Sequence, residues 1–71
     1  MKTRLSIDTS AGSLVLDGDH AEDLHTWARF LNEVAIHLET DPHARFTVPT
    51  DDGPFTGRYG DIDRVDLTWE P

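Results

Sequence analysis

The 71-residue chain predicts a small α+β domain of element order β-β-α-β-β-β. One amphipathic helix, over about residues 20–40, is expected to pack on one face of a four- or five-stranded antiparallel sheet. Three observations predict this class. Apolar residues alternate with polar ones near both ends of the chain, the period of half-buried strands. Between them the apolar residues recur at helical spacing. At each change of period stands a cluster of Gly, Pro, Asp or Ser, residues that turn or break the chain.

In Thr3-Arg4-Leu5-Ser6-Ile7, residues Thr3, Leu5 and Ile7 share one face and Arg4 and Ser6 the other. Asp8 to Gly12 is a run of turn formers, and Ser13 to Asp17 is a second apolar run, so a hairpin is expected. Asp17-Gly18 breaks that strand. Asp19-His20-Ala21-Glu22 then has the form of a capping box, with Asp19 accepting from first-turn amides and Glu22 reaching back. Both acids also suit the positive end of the helix dipole. Leu24, Trp27, Ala28, Leu31, Val34, Ala35 and Leu38 form the apolar stripe, with Phe30 at its edge and Trp27 and Leu31 near its middle. Pro42 ends the helix by Asp41, because it donates no amide and restricts the residue before it. Ala44, Phe46 and Val48 resume period two, and Asp51-Asp52-Gly53 is a hairpin turn signal. Phe55, Gly57 and Tyr59 continue the alternation, although Pro54 and Gly57 weaken this segment, leaving residues 54–59 as strand or loop. Tyr59-Gly60-Asp61 turns the chain, and Val65, Leu67 and Trp69 alternate with polar residues in a last strand.

There is no internal repeat or linker, so residues 1–71 read as one domain. A chain of this length buries only about 60% of the surface its unfolded form exposes, which permits a single core. Cysteine is absent, excluding disulfides and thiolate metal sites. Fourteen acidic residues against six basic ones give a net charge of −8, spread over both halves of the chain. Direct binding of nucleic acid is disfavoured, because phosphate neutralisation needs clustered Lys and Arg. No apolar run has the length of a membrane helix or the form of a signal peptide, which leads to the expectation of a cytoplasmic protein with no membrane contact.

Catalytic and metal signatures are missing. His20, His25, His37 and His43 do not fall on one helical face or at paired-strand spacing; Glu33 and His37, at i,i+4, read as a surface pair. Asp17-Gly18-Asp19 and Asp51-Asp52-Gly53 lack the alternating acids and terminal Glu of a calcium loop. There is no nucleophile elbow or phosphate-cradling loop. The expectation is a non-enzyme without catalytic residues, cofactor or metal. The leading reading is an acidic protein-binding module that docks on a basic, nucleic-acid-binding surface of a larger protein, in the manner of the stand-alone inhibitors that phages and other mobile elements encode. Asp51, Asp52, Asp61, Asp63 and Asp66 are the expected charged contacts. Ile36, off the apolar stripe, is expected to join Phe30, Phe55 or Tyr59 in an apolar patch. The rival reading is a homodimer or other homo-oligomer with an accessory or structural role, closed through a sheet edge or the helix flank.

Overall fold

A computed structural model describes all residues 1–71 and shows the α+β architecture with one helix packed against antiparallel strands. Strands β1 (Lys2–Thr9) and β2 (Gly12–Gly18) form a hairpin, and helix α1 (Ala21–Thr40) follows. Strands β3 (Arg45–Thr50) and β4 (Gly53–Arg58) form a second hairpin. A single 3-10 turn, η1 (Tyr59–Asp61), then leads into β5 (Ile62–Glu70). Residues 54–59 are therefore strand as far as Arg58. No helix is long and apolar enough to cross a membrane.

Both hairpins close by the same local chemistry. Thr9 pairs with Gly12 and Thr50 with Gly53, leaving two residues at each tip. The Thr9 hydroxyl donates to the Gly12 carbonyl at 2.7 Å and accepts from the Ala11 amide at 3.2 Å. Thr50 repeats this with the Gly53 carbonyl and the Asp52 amide. The turn thus pivots on Asp51-Asp52, one residue before the expected Asp-Gly pair, and Gly53 follows it with φ +111°, a conformation that excludes side chains.

The strands divide into two sheets instead of one continuous sheet: β2-β1-β5, and the β3-β4 ribbon. Both edges of β1 are occupied, by β2 and by β5. Pro49 pairs with Pro54 within the ribbon, and neither can donate an amide bond to a further strand. The ribbon instead turns Phe46 and Val48 onto the inner face of the three-stranded sheet. There they join Leu5, Ile7, Val34 and Tyr59 in the buried core. Tyr59 donates its amide to Ala44, Gly60 to Pro42, and Ser10 to Asp61, so η1 ties the helix exit and the first hairpin together.

Two details of α1 differ from the sequence reading. The cap lies one residue later than expected: the His20 amide donates to Asp23 Oδ2 at 3.1 Å, so His20 and Asp23 take the places assigned to Asp19 and Glu22. Asp23 also lies against Gly18, where an added Cβ would stand 2.5 Å from its Oδ2. Second, the buried face is rotated toward Phe30 and His37. Val34 is buried, with Trp27 and Phe30 packed on the core. His37 stacks on Tyr59 with ring centroids 4.3 Å apart. Ala28, Ala35 and Leu38 are exposed, and Leu31 is half-buried without joining the core. An imidazole stacked on a phenol satisfies the helix contact that Leu38 was expected to make.

Candidate functional site

The five carboxylates expected to form one surface lie in two places. Asp51 and Asp52 occupy the tip of the β3-β4 hairpin, whereas Asp61, Asp63 and Asp66 belong to η1 and β5. β4 runs between the groups, and its six residues span about 20 Å. Asp66 accepts from Arg64 at 2.7 Å, so its charge is largely spoken for.

The apolar contacts separate as well. Ile36 is 45% exposed, as expected of a residue off the stripe. Tyr59 is a core residue with 8% exposure, and Phe55 packs on Phe46 at a centroid distance of 6.1 Å. Phe30 is half-buried, its ring 5.6 Å from Phe46 and 6.4 Å from Tyr59. Burial of Tyr59, and next the nearby Glu33 carboxylate, push the phenol above its ordinary pKa.

What the fold does bring together is an open cleft of about 510 Å3 between the N-terminal half of α1, the end of β2 and strand β3. Its apolar surface comes from Leu5, Leu16, Trp27, Phe30, Val48 and Pro49. Around the rim stand Asp17, Asp23 and Asp51, with the hydroxyls of Thr26, Thr47 and Thr50. Two of these carboxylates are engaged. Asp17 accepts from Arg4 Nε at 2.7 Å and in return raises the guanidinium pKa, by hydrogen bonding first and by charge second. Asp23 caps the helix. Asp51 makes no ion pair or side-chain hydrogen bond within the chain, so its charge faces whatever enters.

This constellation lacks a nucleophile beside a base, and no three His, Asp or Glu side chains converge in a metal-binding arrangement. Glu33 and His37 meet at 3.3 Å, the surface pair their spacing predicts. The cleft offers an apolar wall with an indole, and negative charge at the rim. That combination suits an apolar side chain flanked by Lys or Arg, whose cation can reach Asp51 or the Trp27 face. Of the residues read from the sequence as contacts, Asp51 and Phe30 belong to it; the sequence reading places Asp17 at a strand end and Trp27 in the core, and assigns Asp23 no role. Comparison with protein families, curated proteins and solved structures finds no match to this chain.

Proposed function

We propose that the protein is a non-enzymatic protein-binding module that holds a basic segment of a larger partner, inserted apolar side first into the Trp27 cleft. The observation that supports this most directly is the pairing of an apolar wall with an acidic rim in one open cleft, on a chain of net charge −8. Electrostatic steering by the whole surface accelerates encounter with a basic patch, and the cleft supplies the short-range contacts that hold it. Where the engaged patch serves nucleic acid, docking blocks it, and the module acts as an inhibitor.

The test begins with capture of partners from the native cell. The purified partner is then titrated with wild-type protein, Asp51→Lys and Trp27→Ala at low and high salt, with helical content checked by circular dichroism. Steering predicts that wild-type affinity falls as salt is raised, because charges are screened beyond about 10 Å at 0.1 M. Asp51→Lys should slow association with the fold retained; Trp27→Ala should speed dissociation and, because Trp27 packs on the core, is read only at a temperature where circular dichroism shows the variant folded. Equal affinity for all three proteins at both salt concentrations would overturn the proposal.

A further inference from the structure

Helix α1 carries a second apolar face that the core does not use. Ala21, Leu24, Ala28, Leu31, Ala35 and Leu38 recur at alternating intervals of three and four residues, the heptad spacing of a helix-helix seam. Ala21, Ala28 and Ala35 are exposed, and Leu38 is 47% exposed. Leu24 and Leu31 are half-buried yet take no part in the core cluster. Asp23, Thr26, Trp27 and Phe30 look toward β2 and β3 across the cleft, and the heptad face adjoins theirs, centred about 110° further round the helix and turned away from the cleft. The helix packs on both β1 and β5, and the second edge of β5 is unpaired along all nine residues.

We infer that the heptad face binds a second copy of the chain in a two-fold homodimer, helix antiparallel to helix, with the unpaired edges of β5 side by side. Three features select a second copy as the occupant. The seam is complementary to itself: reversed about its midpoint it sets Ala28 against Leu31, Leu24 against Ala35 and Ala21 against Leu38. Each layer then joins one small and one large side chain, which allows close and even packing.

The second feature is charge. Helix α1 starts beside Gly18, which shares a ladder with Thr3 and Trp69, and its end packs on η1 just before Ile62. Helix and β5 are therefore antiparallel, and each is about 30 Å long. A two-fold axis through the middle of the seam passes near the middle of β5. A register centred on Val65 places Arg64 opposite Asp66 of the second copy, twice, exchanging the Arg64–Asp66 bridge within each chain for bridges between chains.

The third is area. The chain exposes 5029 Å2, whereas a folded monomer of 8.0 kDa exposes about 4450 Å2. The excess, about 580 Å2, to which the open cleft also contributes, is close to the roughly 600 Å2 that each partner gives to the smallest standard interfaces. The cleft stays open in this arrangement, so the dimer stands or falls separately from the proposed function.

The experiment is the solution mass of the purified protein over a concentration series, by sedimentation velocity, for wild type, Ala35→Glu, Ala35→Lys and Leu38→Glu. Ala35 and Leu38 are exposed, so these variants are expected to fold, with circular dichroism as the control. Wild type should approach twice the chain mass at the higher concentrations, more readily as salt screens the repulsion between two acidic chains. Each substitution buries a charge in an apolar layer and should raise the dimer dissociation constant at least about tenfold. Ala35→Lys is the decisive variant, since it lowers the net negative charge and would strengthen any association governed by charge alone. A wild-type protein that stays monomeric at every concentration, or an Ala35→Lys that dimerises as well as wild type, would overturn the inference.

Discussion

Gly18→Ala isolates the junction between the first hairpin and the helix. Gly18 is not one of the glycines with positive φ, so its backbone tolerates a side chain. Substitution at such a site ordinarily stabilises by about 0.4–1 kcal/mol, through the reduced entropy of the unfolded chain. Here the added Cβ would stand 2.5 Å from Asp23 Oδ2, 2.7 Å from Cγ and 2.8 Å from Cβ. The carboxylate can swing away by rotation, at the cost of its hydrogen bond from the His20 amide, about 1 kcal/mol for a helix cap. The Asp23 Cβ cannot swing, so the first turn of the helix must also shift, adding about 1–3 kcal/mol of overpacking. Net of the entropic gain, the variant should be about 1–3 kcal/mol less stable. That corresponds to a fall in Tm of roughly 5–20 °C for a domain of this size. Urea melts of the two proteins at concentrations where each is monomeric give the difference directly. In an Asp23→Gly background, which removes all three opposing atoms, the same Gly18→Ala change should become neutral or stabilising. A Gly18→Ala protein as stable as wild type would mean that the hairpin and helix do not meet as described.

Three further outcomes are expected. Ile7→Ala removes a completely buried side chain and should cost about 2–5 kcal/mol, enough to unfold much of the population, whereas Leu31→Ala, outside the core, should cost about 1 kcal/mol or less in the dilute monomer; thermal melts of both check the helix phase. Because the folded Tyr59 has a raised pKa, its contribution to stability is complete below about pH 10 and is lost as pH rises through the folded value; tyrosinate absorbance, which reports the single Tyr of the chain, should follow the alkaline unfolding curve and appear later than in a free tyrosine. Replacing Asp51, Asp52, Asp61, Asp63 and Asp66 together by Asn should leave Tm unchanged or slightly raised, since these groups are exposed or half-exposed and the chain carries net charge −8. A collapse of Tm in that variant would assign the carboxylates a structural role.

The class and order of elements were legible because periodicity and turn chemistry are local. Thr-x-x-Gly at residues 9–12 and 50–53 is a further local signal that sequence reading can use, since one hydroxyl serves both a carbonyl and an amide of the turn. The helix phase was less legible for a physical reason. Its apolar residues cover two adjoining faces, one ending at Phe30 and the other at Ala28 and Ala35, and their spacing does not say which face meets the sheet. His37 counts as polar by type, yet its ring is the surface that Tyr59 stacks on. The division into two sheets lies beyond alternation, which assigns residues to faces but not strands to edges. The cleft was hidden because Leu16, Trp27 and Asp51 come from three separate elements. Grouping acids by their neighbourhood in sequence joined Asp51 to Asp61, although the length of β4 separates them.

The place of β1 at the centre of its sheet has a consequence for the order of folding. In a chain made from its N-terminus, β1 and β2 can pair at once, but Leu5 and Ile7 wait for Val65 and Leu67 before their second edge is closed. Bringing such distant segments together carries the loop-closure entropy that slows proteins rich in long-range strand pairs. Until then the first hairpin presents a bare strand edge of the kind that captures other chains. Lys2, Arg4 and Asp8, set along β1, interrupt that edge with charges of both signs, and alternating with Thr3, Leu5 and Ile7 they oppose pairing with the wrong neighbour while the right one is still being made.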